Sequence, residues 1–223
     1  MTKGTLETRI TELEARNDEL ETQAEHIADI LEIINLQSRY NLWLEMGYYN
    51  RIWNELFAQN DPRVRCEIGE TGVYEGPESV GRLWKALAAS DRPRGYMAMI
   101  MPMTPYIVVS KDGKTARGMC SAFGPHSEHC WPYPGDKQKL TAYWFCGKYD
   151  NEFLKENGKW KLLSLHTIIY FRSPYDQGWL KQQDCHGWEP PESAPPDKPS
   201  VFTELYHPDG VFYPLPAPPE PEE

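Results

Sequence analysis

The sequence is poor in positive charge and in long apolar runs. Its 223 residues include 23 Lys and Arg against 33 Asp and Glu, so the formal net charge is −10. This balance argues against a nucleic-acid partner and an anionic membrane surface, because both are bound through clustered cationic side chains. No apolar run approaches the roughly 18 residues that a membrane-spanning helix needs. The N-terminal segment also lacks the apolar core of a signal peptide, so we expect no membrane partner.

The short motifs that bind common cofactors are also missing. The sequence has no glycine-rich phosphate loop, no GxSxG, no HExxH and no CxxC, so nothing points to a nucleotide, a redox cofactor or a zinc-protease site. His126, His129 and Cys130 cluster in the segment GPHSEHC, but their spacing matches no standard metal site and a fourth ligand would be needed. We therefore predict a protein that uses no cofactor and no metal.

The cysteines also lack the spacing of a disulfide framework. An odd number of unpatterned cysteines is typical of reduced thiols, which persist in the cytoplasm. The five cysteines are Cys66, Cys120, Cys130, Cys146 and Cys185. We therefore expect a cytoplasmic protein.

Residues 1–34 carry a heptad pattern of apolar side chains. The steps alternate between three and four residues, and this period of about 3.5 residues is typical of a left-handed coiled coil. One seam position is filled by Leu6, Leu13, Leu20, Ile27 and Ile34, and the other by Ile10, Asn17, Ala24 and Leu31. We predict a coiled-coil helix that forms a homo-oligomer.

Charged residues flank this seam in a complementary arrangement. With the second set at the a positions, Arg9 and Arg16 occupy g positions and Glu14 and Glu21 occupy e positions, so opposite charges would face each other in a parallel pair. Asn17 at an a position would fix the register and the oligomeric state. The alternative is a solvated amphipathic helix that lies on its own domain.

Residues 35–172 combine helices with a run of strands. Helical signals extend to about residue 59, and a second helix is predicted at 76–89, with Pro77 in its first turn. Alternating segments then predict two hairpins. The first is TPYIVVSKDGKTARGMCSAF, and the second pairs LTAYWFCGKYDNEF with GKWKLLSLHTIIYF. A long loop, GPHSEHCWPYPGDKQK, joins them. Helices followed by antiparallel strands predict the α+β class.

Residues 173–223 form a proline-rich tail that still contains aromatic residues. The segments EPPESAPPDKPS and YPLPAPPEPEE cannot supply regular strands or helices. A purely disordered tail would be poorer in aromatic side chains. We predict an extended arm that lies over its own domain or a neighbouring subunit, with a disordered end.

Three motifs in order resemble the SnoaL-like branch of the nuclear transport factor 2 superfamily. The segment GKYDNEFLKENGKWKLLSLHT is similar to the family's last hairpin, and TPYIVVSKDGKTARG is similar to its Asn-Pro hairpin. Earlier, Tyr40, Glu45 and Gly47, followed by WNELFA, resemble the family's Tyr-x4-Asp-x-Gly pattern. The resemblance covers about residues 30–172. It implies a cone-shaped, curved antiparallel sheet folded around helices, with a pocket inside the cone.

The resemblance also implies a range of activities. The superfamily contains cofactor-free enzymes such as scytalone dehydratase, bile-acid dehydratase and formaldehyde-releasing lyases that act on lignin-derived diaryl compounds. It also contains non-catalytic proteins and the small subunits of ring-hydroxylating dioxygenases, so the fold leaves the function open.

Four residues are candidates for catalysis. Tyr40 and Glu45 match the family's Tyr and acid, which in the dehydratases orient the substrate and move protons. A carboxyl in an apolar cavity has a raised pKa, and a tyrosine hydroxyl can hold a substrate oxygen. The family's usual histidine is missing, since Met99 or Met101 stands in its place. His166 on the last strand would replace it if its face of the sheet is the concave one, with His126 of the long loop in reserve.

Aromatic and flexible side chains are expected to bind the substrate. A flat, apolar ligand would be held by rings and by adaptable methionines. The candidates are Trp43, Tyr48, Tyr49, Met99, Met101 and Trp144. The leading hypothesis is a cofactor-independent lyase that removes water or formaldehyde from a hydrophobic aromatic substrate, with lignin-derived diaryl compounds as one candidate class. The alternatives are a non-catalytic binding or assembly protein and a dioxygenase small subunit, and both dimer and trimer stay open.

Overall fold

The computed structural model describes residues 3–92, 94–128, 140–181, 190–201 and 205–220. The helices are α1 (Lys3–Met46), the short α2 (Tyr49–Arg51), which runs into a π-helical turn (Ile52–Leu56), and α3 (Gly76–Ala89). The strands are β1 (Arg65–Ile68), β2 (Val73–Glu75), β3 (Met97–Ala98), β4 (Met101–Val109), β5 (Thr115–Glu128), β6 (Thr141–Glu156) and β7 (Lys159–Pro174). None of the described helices is long and apolar enough to cross a membrane.

The strands form one curved sheet in the order β2-β1-β7-β6-β5-β3, with β4 also paired to β5. The long strands β5 to β7 are antiparallel, and β-bulges shift the register of β6 and β7 near Cys146 and Glu152. Bulges bend a strand and increase its twist, so the sheet curls around the helices. The predicted α+β class is confirmed. One detail of the prediction is wrong: β1 runs parallel to β7, which is allowed because no tight turn joins the two.

Local sequence explains the turns of the hairpins. The β6–β7 turn is the dipeptide Asn157–Gly158, and both residues have positive φ (51° and 74°), as a two-residue hairpin turn requires. At the β4–β5 turn, Asp112 Oδ1 accepts hydrogen bonds from Ser110 Oγ and from the Lys114 amide (2.7 and 3.0 Å). β5 continues to Glu128, into the segment that the sequence predicts as a loop, and the rest of that segment up to residue 139 lies outside the described residues. His126 is therefore a strand residue.

The second half of α1 packs into the concave face of the sheet. Ile33, Leu36 and Tyr40 recur at helical spacing and are buried. The Tyr40 ring meets Trp84 of α3 and Tyr149 of β6 edge-on, at centroid distances of 6.1 and 5.8 Å. Helix, sheet and α3 therefore converge on Tyr40.

Gly47 ends α1 and turns the chain. Its φ of +73° lies in the left-handed region that favours glycine. The Tyr48 amide donates to the Trp43 carbonyl and the Gly47 amide donates to the Leu44 carbonyl (2.8 and 3.1 Å), the pair of bonds that defines a Schellman cap. The sequence SRYNLWLEMGYYN is thus a helix end followed by a turn.

The first half of α1 extends away from the domain. Every side chain from Leu6 to Ala28 is exposed, and the helix passes residue 34 without a break. The boundary at residue 34 in the predicted organisation therefore lies inside one continuous helix.

The described parts of the proline-rich tail pack against the domain. Tyr74 donates to the Ala194 carbonyl (2.7 Å), and the Val73 amide donates to the Lys198 carbonyl (2.9 Å), so the tail covers the free edge of β2. Farther along, Tyr170 donates to the Leu215 carbonyl (3.1 Å). The Val73 bond satisfies a backbone group at the otherwise open edge of β2, and the two tyrosine hydroxyls fasten the tail to β2 and β7.

Candidate active site

A cavity with about 100 Å³ of internal space lies between α1, α3 and the concave face of the sheet. Most of its wall is apolar, and five tyrosines contribute to it: Tyr40, Tyr49, Tyr96, Tyr143 and Tyr149. The polar groups that share the wall are His126, Thr167 and Arg172. An apolar cavity with a few polar groups can hold a mostly hydrophobic ligand and orient it.

His126 is buried in this wall. Its ring stacks on Phe145 at a centroid distance of 5.5 Å, and Nδ1 lies 3.3 Å from the Tyr143 hydroxyl. Among the described residues, nothing bonds to the buried Nε2 atom. Burial, and secondarily the positive charge of Arg172, lowers the pKa of His126 to about 3. The imidazole is therefore neutral near pH 7, and a neutral imidazole has one nitrogen lone pair that can accept a proton.

Arg172 brings a positive charge to the cavity. Its Nη1 donates to Glu70 Oε1 at 2.6 Å, and its side chain is 7% exposed. Glu70 belongs to the 3₁₀ turn Gly69–Thr71 between β1 and β2. At Gly69 a Cβ would lie 2.4 Å from Ile169 Cδ1, so glycine lets this turn approach β7 closely enough for the ion pair to form.

Tyr149 is the centre of a buried hydrogen-bond chain. Asn41 Nδ2 donates to the Tyr149 hydroxyl (3.0 Å), and Gln37 Nε2 donates to Asn41 Oδ1 (2.8 Å). Tyr40 packs edge-on against Tyr149 at a centroid distance of 5.8 Å. Burial raises the pKa of both phenols, so both stay protonated.

The hydroxyl hydrogen of Tyr149 is therefore available to a ligand. A hydroxyl has one donor and two acceptor positions, and the Asn41 amide fills one acceptor position, which leaves the hydrogen for another partner. Tyr149 lines the cavity, so its hydrogen can be donated to an oxygen atom bound there.

Some of the sequence-predicted residues meet in this cavity. Tyr40, Tyr49 and His126 all line it. Glu45 is half-buried and lies outside the wall, where its backbone carbonyl accepts a hydrogen bond from Arg92 (2.5 Å). The raised pKa of Tyr149 comes mainly from burial, and the Glu45 carboxylate adds only a small contribution.

His166 lies on the other face of the sheet, contrary to the expectation that it points into the pocket. Its neighbour Thr167 lines the cavity, and successive strand residues point to opposite faces. On the outer face, His166 Nε2 lies 3.7 Å from Glu67 Oε2. The Glu67 carboxylate in turn accepts bonds from Ser200 Oγ and the Val201 amide, so His166 belongs to the contact between the sheet and the tail.

Five predicted substrate-binding residues also lie away from the cavity wall. Met99 and Met101 are 40% and 43% exposed, because Ala98 and Ile100 take the inward positions of the same alternation. The remaining three are Trp43, Tyr48 and Trp144. The Trp43 ring lies 4.1 Å from the Arg51 guanidinium carbon, and Tyr48 is 42% exposed. Trp144 stacks on Phe123 at a centroid distance of 5.3 Å, on the face of the sheet opposite to Tyr143.

Strand alternation does not predict Arg172 as a cavity residue, because a β-bulge in β7 changes which of its side chains face the cavity. Gly147 pairs with Ile169, and the next residue of β6, Cys146, pairs with Phe171. Tyr170 is therefore an extra residue in β7. As a result, the next cavity-facing position after Ile169 is Arg172 rather than Phe171. The sequence carries no clear signal for this bulge. Tyr149, by contrast, lies in the segment GKYD that supported the family resemblance.

The buried His126 predicts an acid-sensitive fold. The unfolded chain takes up a proton at His126 below its ordinary pKa of 6.5, but the folded chain does so only near 3. The unfolded state thus binds more protons between these values, so the free energy of unfolding decreases by up to about 1.4 kcal/mol for each unit by which the pH is lowered. Urea unfolding between pH 4.5 and 7 should show a shallower pH dependence for His126→Phe. Parallel curves for both proteins would contradict the prediction, since every other titrating group is shared.

The described residues contain no cluster of three or more His, Cys, Asp or Glu side chains that could hold a metal ion. Cys66 and Cys120 are buried free thiols, and burial raises the pKa of each. Raised pKa values keep thiols protonated and poorly nucleophilic. The reactive groups of the cavity are therefore the imidazole and the phenols.

Comparison with known proteins agrees with the fold. The family model of the SnoaL-like domain matches residues 25–166. No curated protein matches. Among solved structures, a scytalone dehydratase-like protein of Novosphingobium aromaticivorans is 12% identical, with a TM-score of 0.54 and coverage of 75% of this chain and 96% of its own.

Two further structures are similar at the same level. The hexachlorocyclohexane dehydrochlorinase LinA-type3 of Novosphingobium barchaimii is 14% identical, with a TM-score of 0.51 over 68% of this chain and 93% of its own. A dehydratase-like protein of the NTF2-like family from Streptomyces avermitilis is 20% identical, with a TM-score of 0.50 over 64% and 96%. At these identities the likeness shows the fold alone. Because the family model covers more than half of the chain, the protein belongs to the SnoaL-like domain family, which has the NTF2-like fold.

Proposed function

We propose that this protein is a cofactor-independent lyase that acts on a hydrophobic aromatic small molecule. One observation carries the proposal: a single apolar cavity contains a neutral imidazole with an unshared Nε2 and a phenol whose hydrogen is free for a ligand. The first group can take a proton, and the second can stabilise a developing negative charge on oxygen. Dehydratase and dehydrochlorinase neighbours of the same fold support lyase chemistry at this coarse level.

The proposed role of His126 is that of the general base. For loss of water, Nε2 takes a proton from carbon, the C–H electrons form the new π bond, and the C–O bond breaks. The imidazolium then returns its proton to the leaving hydroxide, and water is released. For loss of formaldehyde, the proton comes from a hydroxymethyl O–H, the C–C bond breaks, and the carbanion recovers the proton. The positive charge of Arg172 would stabilise the negative charge that develops on the substrate in both reactions.

Tyr149 has the proposed role of oxygen donor, and Tyr40 orients it. In this scheme the bond from Asn41 and the ring contact with Tyr40 hold Tyr149 in place, so that its hydrogen can be donated into the cavity. A donor fixed in this way needs no reorganisation during the reaction.

Activity without additives is the direct test. The purified protein is incubated, with a chelator present, with hydrophobic aromatic compounds that carry a hydroxyl group next to an acidic C–H or a hydroxymethyl group. Mass spectrometry detects loss of water, and a formaldehyde assay detects the alternative. We expect turnover of at least one class. Saturable quenching of tryptophan fluorescence by panel members without any turnover would instead establish a ligand-binding protein and contradict the lyase.

Tyr149→Phe should lower kcat by about 10²-fold, the usual effect of removing one oxyanion donor. The ring packing against Tyr40 remains, so KM should change less than kcat. Tyr48→Phe is the matched control, because it removes a phenol hydroxyl from an exposed ring outside the cavity. Equal rates for the two variants would remove Tyr149 from the mechanism.

A further inference from the structure

Helix α1 has two apolar faces that point in opposite directions. Ile33 is buried against the domain, whereas Leu31 and Leu42 are 55% and 59% exposed. At about 100° per residue, Leu31 and Leu42 lie about 20° apart around the helix axis, and Ile33 lies about 160–180° from both. The exposed stripe therefore remains on the solvent side even where α1 is docked to the sheet.

We call the exposed stripe of the first four heptads the outer face. Its side chains are 48% to 62% exposed, and they are Leu6, Ile10, Leu13, Leu20, Ile27 and Leu31. From the first to the last the stripe is about 38 Å long, at about 1.5 Å per residue. An isolated helix in water is only marginally stable without tertiary packing, so a protruding helix with a continuous apolar stripe needs a partner.

We propose that the outer face pairs in parallel with the outer face of a second copy of this chain. In a parallel pair, Arg9 and Arg16 meet Glu14 and Glu21 of the other copy, which places opposite charges together. An antiparallel pair would instead bring e positions, which are acidic, against each other. Charge therefore selects both the partner and its direction.

Asn17 selects the same arrangement. It occupies an a position, and in a parallel two-stranded pair it meets the other copy's Asn17, so the two amides can bond to each other. Leu13 and Leu20 fill d positions, where leucine favours two strands. In the single chain, Asn17 bonds only to Glu21 of its own helix (2.7 Å), an exposed contact that contributes little stability and can be exchanged.

The two domains do not obstruct this pairing. Because the domain packs on the side of α1 opposite to the outer face, the pair carries its two domains on its two outer sides. Tyr40 lies on the domain side of the same helix. Pairing would hold α1 rigid at the helix that supports the cavity wall. This inference stands independently of the proposed catalytic role.

The oligomeric state of the full chain tests the inference. By light scattering we expect twice the single-chain mass of 25.8 kDa, and the single-chain mass for the variant Leu13→Glu/Leu20→Glu. The matched control Ala15→Glu/Thr22→Glu adds the same charges at f positions and should stay paired. A wild-type single chain, a trimer, or a pair that survives Leu13→Glu/Leu20→Glu would overturn the proposal.

The parallel direction of the helix pair is tested with a cysteine at an a position of the heptad. Ile10→Cys should form an intermolecular disulfide under mild oxidation, because a disulfide needs Cα atoms about 4.4–6.8 Å apart and only a parallel, in-register pair brings residue 10, near one end of the outer face, to its own copy. Ala15→Cys, which faces outward, should not form one. A paired protein in which the two cysteine variants cross-link equally would overturn the parallel arrangement.

Discussion

The His126→Gln variant is expected to lose about 10²–10⁴-fold in kcat/KM, the range that a positioned general base supplies. Glutamine keeps a polar side chain of similar length at this strand position, but its amide cannot take up a proton at neutral pH. The buried Nε2 is the group that the variant removes from the cavity.

His166→Gln is the matched control for His126→Gln. It removes the same imidazole from the opposite face of the sheet, where the ring lies 3.7 Å from Glu67, and it should leave kcat/KM near the wild-type value. Both rates are measured on a substrate identified in the panel above. The reverse result, a large loss for His166→Gln alone, would restore the base that the sequence first suggested.

Gly124→Ala is expected to reduce the free energy of unfolding by at least about 3 kcal/mol. A Cβ at this position would lie 1.7 Å from the Met99 carbonyl oxygen and 2.7 Å from its carbon. These are backbone atoms of the connection between β3 and β4, which cannot move aside as a side chain would. The connection is held there by the bond from the Met99 amide to the Pro125 carbonyl (3.2 Å).

The clash at Gly124 should also disturb the cavity. β3 pairs with β5 at Ala98 and His126, so pushing the connection away separates the strands beside the proposed base. For a chain of this size the expected change corresponds to a fall of at least about 6 °C in Tm. Gly210→Ala is the control, because its Cβ would meet only the His207 carbonyl at 3.7 Å. Equal melting temperatures for the two variants would show that the connection can yield.

Features that depend on neighbouring residues in the chain were predicted well. Helix α3 runs over Gly76–Ala89, the range that the pattern predicted, because Pro77 starts it and its apolar spacing is local. Both hairpins follow from alternation and from turns whose residues set their own backbone angles. The resemblance to the SnoaL-like family, which rested on these hairpins and on Tyr40, is confirmed.

Features that depend on strand phase were not predictable in the same way. Alternation shows that His166 and Thr167 point to opposite faces, but it cannot say which face is concave. In β7 the extra residue Tyr170 then reverses the phase, so Arg172 rather than Phe171 reaches the cavity. The outward positions of Met99 and Met101 have the same origin, because they depend on which side of β3 and β4 packs on α1.

The sequence by itself determined the α+β class, the family, the helix with its heptad seam and the position of Tyr40 on the end of that helix. These follow from periodicity, turn chemistry and charge, which act over a few residues. Only the tertiary structure decided that His126, Arg172 and Tyr149 share a cavity while His166 does not. Their meeting depends on the curvature of the sheet and on one bulge, which place residues from β5, β6 and β7 around α1. The physical reason is that a side chain's direction on a strand is local, whereas the face that becomes buried is a property of the whole sheet.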